Sequence, residues 1–334
     1  MHRAFALSLL SQRVLARLYP GLSSDNHTCA LVPPVLSCSE EAQPGLVDSC
    51  CVETFGGLVL QTQFWNTYTG LEAEGQLLPK DSWTIHGLWP DFCNGSYTQY
   101  CDLSRQYDPE PSPNTTNGKP DGTPVEPWTG GSIEPFLEAA GRWDLIAYMK
   151  KYWLGFLQPS STLWAHEYSK HATCFSTFAT SCYSSHSHSH SPSHSHPQPT
   201  AHADMIDFFS TTISHYQRLP TWSWLSASGI RPSNDTTYSL SAIQDALRAG
   251  YGRLPYVGCA GPRWNATPAG AGSGDDGFTV LGEVWYYQHV YGRVQSGWGR
   301  RVDADVAGGS SSVSNCAGAE GAVRYLERAA GSVA

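Results

Sequence analysis

Alternation and helical spacing divide the chain into a small set of elements. Residues 57–68, Gly-Leu-Val-Leu-Gln-Thr-Gln-Phe-Trp-Asn-Thr-Tyr, alternate and are rich in β formers, which predicts a central strand. In 81–91, Trp83 and Ile85 alternate with Thr84 and His86 as in a half-buried strand, before Gly87 and Pro90 punctuate it. Residues 133–153 return to helical spacing, with Phe136, Ala140, Trp143 and Ala147 on an uneven apolar face. Residues 204–218 and 239–250 read as further helices, the second opened by a serine cap and closed by glycine. Two closing strands are expected at 254–258 and 277–290, the latter carrying Val280, Leu281, Val284, Trp285 and Tyr287. Prolines and glycines between 108 and 129 mark a long surface loop.

One stretch fits no ordinary core helix. Residues 164–174, Trp-Ala-His-Glu-Tyr-Ser-Lys-His-Ala-Thr-Cys, hold two histidines, a carboxylate and a lysine between positions 166 and 171. At roughly 100° per residue, His166 at the origin places Lys170 near 40°, Glu167 near 100° and His171 near 140°, so four proton-active groups share a face. Glu167 with His171, and His166 with Lys170, are i,i+4 pairs that can touch. A zinc-protease helix needs its two histidines at i,i+4. Here they are five apart and diverge by about 140°, so no metal site is expected. The bland reading is a solvated polar turn, and His86 alone would be a structural strand histidine.

Taken together, the two segments say more. Trp-Thr-Ile-His-Gly-Leu-Trp-Pro at 83–90 and His-Glu-Tyr-Ser-Lys-His-Ala-Thr-Cys at 166–174 resemble the two active-site segments of the ribonuclease T2 family, Trp-x-x-His-Gly-Leu-Trp-Pro and His-Glu-x-x-Lys-His-x-Thr-Cys. The resemblance implies an α+β fold with a central antiparallel β-sheet flanked by several α-helices and stapled by five disulfides. It implies His171 as general base and His86 as general acid, with Glu167 and Lys170 stabilising a pentacoordinate phosphorus and His166 holding the phosphate. Trp89, Asp91 and Tyr97 match family positions that contact a base. Trp89 has a structural alternative as a core plug and Asp91 as a cap for the turn after Pro90. Ala172 stands where the family often has glycine; in ordinary helix alanine is the better residue. The implied reaction is cleavage of single-stranded RNA through a 2′,3′-cyclic phosphate to 3′-phosphate ends, with no metal or other cofactor and an acidic optimum.

Ten cysteines, an even number without repeated Cys-x-x-Cys pairs, argue for disulfides over zinc and for an oxidising compartment, secreted or vacuolar. The resemblance implies the pairs Cys29 with Cys51, Cys38 with Cys93, Cys50 with Cys182, Cys101 with Cys174, and Cys259 with Cys316. Sequons at Asn26, Asn94, Asn114, Asn234 and Asn265 agree with export. Residues 1–25 read as a poor signal peptide or a wrong gene start. The catalytic domain is expected at 26–318, with a tail at 319–334 outside it.

With 40% hydrophobic and only 15% charged residues, the 334-residue chain folds instead of remaining disordered. No stretch after the leader is long enough to span a bilayer, and no obligate protein partner is expected of what reads as a monomer. The formal charge of −9 repels phosphates. Protonating all 13 histidines would bring the tally to −9 + 13 = +4, so acidity removes the repulsion. A low-complexity His/Ser insertion at 185–203, with His186, His188, His190, His194, His196 and His202, reads as a neutral expanded loop; metal binding through it is the non-enzymatic rival, and a storage protein, which would need a damaged site, is the other.

Overall fold

The computed structural model describes Cys29 and residues 32–183, 201–260, 277–307 and 313–334. The expected leader, Asn26, Asn265 and the histidine tract up to residue 200 lie outside the described residues. Seven strands form one sheet: β1 (Leu58–Phe64), β2 (Thr84–Asp91), β3 (Thr237–Tyr238), β4 (Tyr256–Ala260), β5 (Thr279–Val290), β6 (Gly299–Val302) and β7 (Val323–Arg324). The helices are α1 (Glu134–Ala139), α2 (Trp143–Tyr152), α3 (Ser160–Lys170), α4 (Ala203–Tyr216), α5 (Thr221–Ala227), α6 (Leu240–Tyr251) and the short α7 (Ala304–Ala307). The class is α+β, as expected.

The sheet is organised on β5, which at 12 residues is long enough to pair with β1, β4, β6 and β7. All pairings are antiparallel except β5 with β7, which run parallel. β1 is buried from Leu58 to Gln63 because both its faces are covered. Val59 joins a core with α1 to α4, whereas Leu58 and Leu60 pack with Tyr287 and α7 on the other face. β2 is an outer strand of the sheet path, which is why Pro90, with no N–H to give a ladder, is tolerated inside it.

Three expectations need correction. The helical stretch at 133–153 is two helices, broken at Ala140–Arg142 where Gly141 takes φ +69°. The helix at 239–250 does start with the Ser239 side chain accepting from the Ala242 N–H, but it closes on Gly252 at φ +82°, and Gly250 lies inside it. The tail at 319–334 is part of the domain: β7 pairs with β3 and β5, the Trp83 indole donates to the buried Tyr325 hydroxyl, and Leu78 bridges Val333. Its apolar residues complete the core on α5 and α6, so removing them would expose it.

Five disulfides join Cys29–Cys51, Cys38–Cys93, Cys50–Cys182, Cys101–Cys174 and Cys259–Cys316. Sequons at Asn94, Asn114 and Asn234 are exposed. Among the described residues no helix is long and apolar enough to cross a membrane.

Candidate active site

The site forms where α3 crosses the face of β2 that carries Gly87, Trp89 and Asp91. Backbone pairing sets this face: Leu60 lies opposite both Trp89 and Tyr287, and Thr62 opposite both Gly87 and Trp285. Between Thr62 and Gln63 the register slips, so Gly87 and Ile85 are paired while His86 faces no partner. A bulge of this kind re-aims a side chain. It turns His86 toward the cleft beside Trp89, although strict alternation would place the two on opposite faces.

Gly87 permits the close approach of α3. A Cβ there would stand 1.7 Å from Glu167 Oε2 and 2.7 Å from the Trp89 indole nitrogen. Gly87→Ala is therefore expected to lower stability by about 1–3 kcal/mol and to lower turnover with it. A thermal melt paired with initial rates checks this, and an unchanged melting temperature would contradict the packing.

α3 ends at Lys170, and His171 is its C-cap at φ −110°, ψ −48°. The Tyr100 N–H caps the Lys170 carbonyl, the Thr173 hydroxyl bonds back to the Ser169 carbonyl, and Cys174 is tied to Cys101. Ala172 lies in a buried 3₁₀ turn without positive φ, so glycine is not needed there. Because the helix stops before His171, the divergence expected from ideal helical angles does not hold. The His166 and His171 rings are 6.4 Å apart, and ligand atoms of His166, Glu167 and His171 all lie within 4.8 Å of one another. The spacing argument against a metal thus fails on geometry.

His86, His166, Lys170, His171, Trp89, Asp91 and Tyr97 all line one cleft of about 510 Å³, with Leu60, Tyr256, Trp285 and Tyr287 as its aromatic and apolar floor. A second cavity of about 450 Å³ opens on the other side of His86, His166 and Lys170, against Phe64, Ser112, Phe156 and Gln158. Glu167 lies behind this row, with no exposure. Its Oε2 accepts from the Trp89 indole at 2.8 Å, and its Oε1 has no hydrogen-bond partner but lies 3.5 Å from His86 Nε2. The Trp89 ring is stacked on His171 at 5.0 Å and meets His86 edge-on at 4.6 Å. Trp89 thus spaces the two imidazoles as well as lining the cleft.

The electrostatics differ from one group to the next. Burial pushes the Glu167 carboxyl up to about 8, against the Trp89 hydrogen bond and Lys170, which favour its anion. Burial alone pushes Asp91 up to about 7. His171 is held well below the usual imidazole value by burial and then by Lys170, His166 and His86. His86 is also lowered by burial, but Glu283, with Oε1 2.5 Å from its Nδ1, pulls the other way. Burial lowers Lys170 against the attraction of Glu167 and Asp108; its ammonium donates to the Ser112 carbonyl at 2.7 Å. His166 Nδ1 meets Asp108 Oδ2 at 2.7 Å, and the Tyr100 hydroxyl donates to the same oxygen.

Sequence reasoning missed Glu283, Asp108, Tyr256 and the cleft-facing role of Trp285 and Tyr287. Glu283 had a visible signal, a lone charge inside a run of β formers. Asp108 had none, since it opens a loop whose course only the fold sets.

Residues 56–290 match the Ribonuclease T2 family. Ribonuclease M of Aspergillus phoenicis is 36% identical over 81% of this chain and 88% of its own length. A "Ribonuclease T2-like" protein of Aspergillus fumigatus is 35% identical over 79% of this chain, and the chain spans half of that relative's length. The crystal structure of Actibind, a T2 ribonuclease, superposes with a TM-score of 0.60 at 33% identity, covering 88% of this chain and 96% of that one.

Proposed function

Because the chain belongs to the ribonuclease T2 family, we propose that it is an endoribonuclease cutting single-stranded RNA by attack of each 2′-hydroxyl on its own phosphodiester. The observation that carries this is the unlike setting of two imidazoles on either side of Trp89. His171 is lowered by burial and by Lys170, His166 and His86, and the carboxyl nearest to it, Glu167, is itself lifted to about 8 by burial, so His171 stays neutral down to acidic pH and serves as the base that takes the 2′-hydroxyl proton. His86 faces a carboxylate and serves as the acid that protonates the departing 5′-oxygen. A 2′,3′-cyclic phosphate forms first; water then replaces the hydroxyl, the two histidines exchange roles, and a 3′-phosphate remains.

Glu167 suits the same chemistry. An anionic carboxylate beside a phosphorane would repel it, but a carboxyl lifted to about 8 is neutral at acidic pH and donates a hydrogen bond instead. Lys170 supplies the positive charge and His166, held by Asp108, a contact to the phosphate, so the scheme needs no metal. The two cavities meeting at His86, His166 and Lys170 leave room for a nucleotide on each side of the phosphate. The base before the cut would stack in the aromatic cleft with Tyr97, Trp89 and Trp285, where Asp91, neutral below about 7, can donate to its edge. All of these groups come from one chain, and the disulfides and exposed sequons support an enzyme of the secretory pathway.

A defined oligoribonucleotide carrying one 2′-deoxy residue tests the reaction class. Cyclic and then 3′-phosphate ends are expected at every ribose linkage cut, with the deoxy linkage intact. Terminal 5′-phosphates, or cleavage 3′ to the deoxy residue, would overturn the reading.

A further inference from the structure

We infer that Glu283 is a positioning residue for leaving-group departure, holding the Nδ1–H of His86 so that Nε2 presents its proton to the 5′-oxygen. This deepens the ribonuclease reading and rests on it. His86 is fixed at three points, two on its ring and one on its backbone. Phe64 stacks on it at 3.7 Å with planes 21° apart, the Trp153 indole donates to its backbone carbonyl at 2.8 Å, and Glu283 Oε1 lies 2.5 Å from Nδ1. Only Nε2 is left toward the reacting row, 3.5 Å from Glu167 Oε1.

The bulge that turns His86 out of the ladder leaves its direction unset by the backbone. Glu283 supplies it from β5, on the strand face that also carries Trp285 and Tyr287, and pairs through the backbone with Phe64. A carboxylate at Nδ1 selects the Nδ1–H form of the neutral ring and stabilises the cation, the only state with a proton on both nitrogens. Of the other groups facing His86 from α3, His166 and Lys170 disfavour that cation, as burial does, and Glu167, 3.5 Å from Nε2, is itself lifted to about 8 by burial and so neutral at acidic pH. Among the described residues Glu283 is thus the carboxylate placed at Nδ1 to favour the charged form of the acid. In the step it serves, the 2′-oxygen bonds to phosphorus, its proton goes to His171, the bond from phosphorus to the 5′-oxygen breaks, and the His86 Nε2 proton passes to that oxygen.

A residue acting through the acid matters only when the leaving group needs a proton. Glu283→Gln keeps the size and an acceptor oxygen but removes the charge. It is compared with the parent and with His86→Ala on two substrates of the same base, a dinucleoside phosphate and a nucleoside 3′-(para-nitrophenyl phosphate), whose phenolate leaves unprotonated. For Glu283→Gln the expected loss in kcat/KM is on the order of 10- to 100-fold on the dinucleoside phosphate and under about 3-fold on the nitrophenyl ester, with the alkaline limb of the dinucleotide pH profile moved to lower pH. The ratio of the two rates is independent of how much protein is folded. Equal losses on both substrates, or no loss on either, would overturn the role of Glu283. If His86→Ala also loses both rates equally, the acid assignment itself fails, and the two failures are told apart by that control.

Discussion

Replacing His171 by alanine is expected to lower kcat/KM on single-stranded RNA by about 10³-fold or more while leaving the disulfides and the melting temperature close to the parent's, and His86→Ala is expected to do the same. Each imidazole is a partly exposed wall of the cleft, so truncating it removes little core. The double variant should lose scarcely more than either single one, because in the proposed reaction base and acid act together and removing one disables the other. Initial rates on a homopolymer series, with melting curves for each variant, check both halves. Turnover within tenfold of the parent in either single variant would sink the assignment of that histidine.

Glu167→Gln should separate activity from stability. The carboxyl is fully buried and its value is raised from 4.5 to about 8, so between these two values the folded state holds a proton that the unfolded chain has given up. Its contribution to stability is therefore complete below about 4.5 and is lost as pH rises through about 8. Glutamine is spared that loss, since it carries no charge to bury. The variant is expected to melt higher than the parent by an amount that grows from near zero at about pH 4.5 to several degrees at about pH 8. It should also lose activity by about 10²-fold, because the proposed donor at the phosphorane and the setting of Trp89 change. His215, lowered to about 4 by burial, acts in the opposite sense, costing stability as pH falls below about 6.5, but it is common to both proteins and cancels in the difference. A pH-independent difference in melting temperature would show that Glu167 is ionised in the folded state.

The main elements were legible in the sequence because local rules govern them. Alternation located β1 and β5, the serine cap located the start of α6, and two dense motifs located the row of His86, His166, Glu167, Lys170 and His171. Boundaries at Gly141 and Gly252 were misplaced, since each depends on which glycine the packing drives to positive φ. The tail was set aside because it follows the last cysteine, beyond the stretch that carries the resemblance; Tyr325 and Val323 become core only by reaching Trp83 and β5 across the whole chain.

By itself, then, the sequence determined the chemistry available, since no arrangement of other side chains in this chain offers the same concentration of imidazole, ammonium and carboxyl groups in two short segments. The tertiary structure decided how those groups differ. A register slip between β1 and β2 turns His86 to the cleft, the end of α3 at Lys170 brings His171 back beside His166, and burial under Gly87 lifts Glu167. Glu283 and Asp108 arrive from residues far away in the chain, one on a strand and one at the head of a loop. The physical reason is the same in each case: proton affinity and direction depend on what stands within a few ångströms, and periodicity along a chain carries no information about neighbours nearly two hundred residues apart.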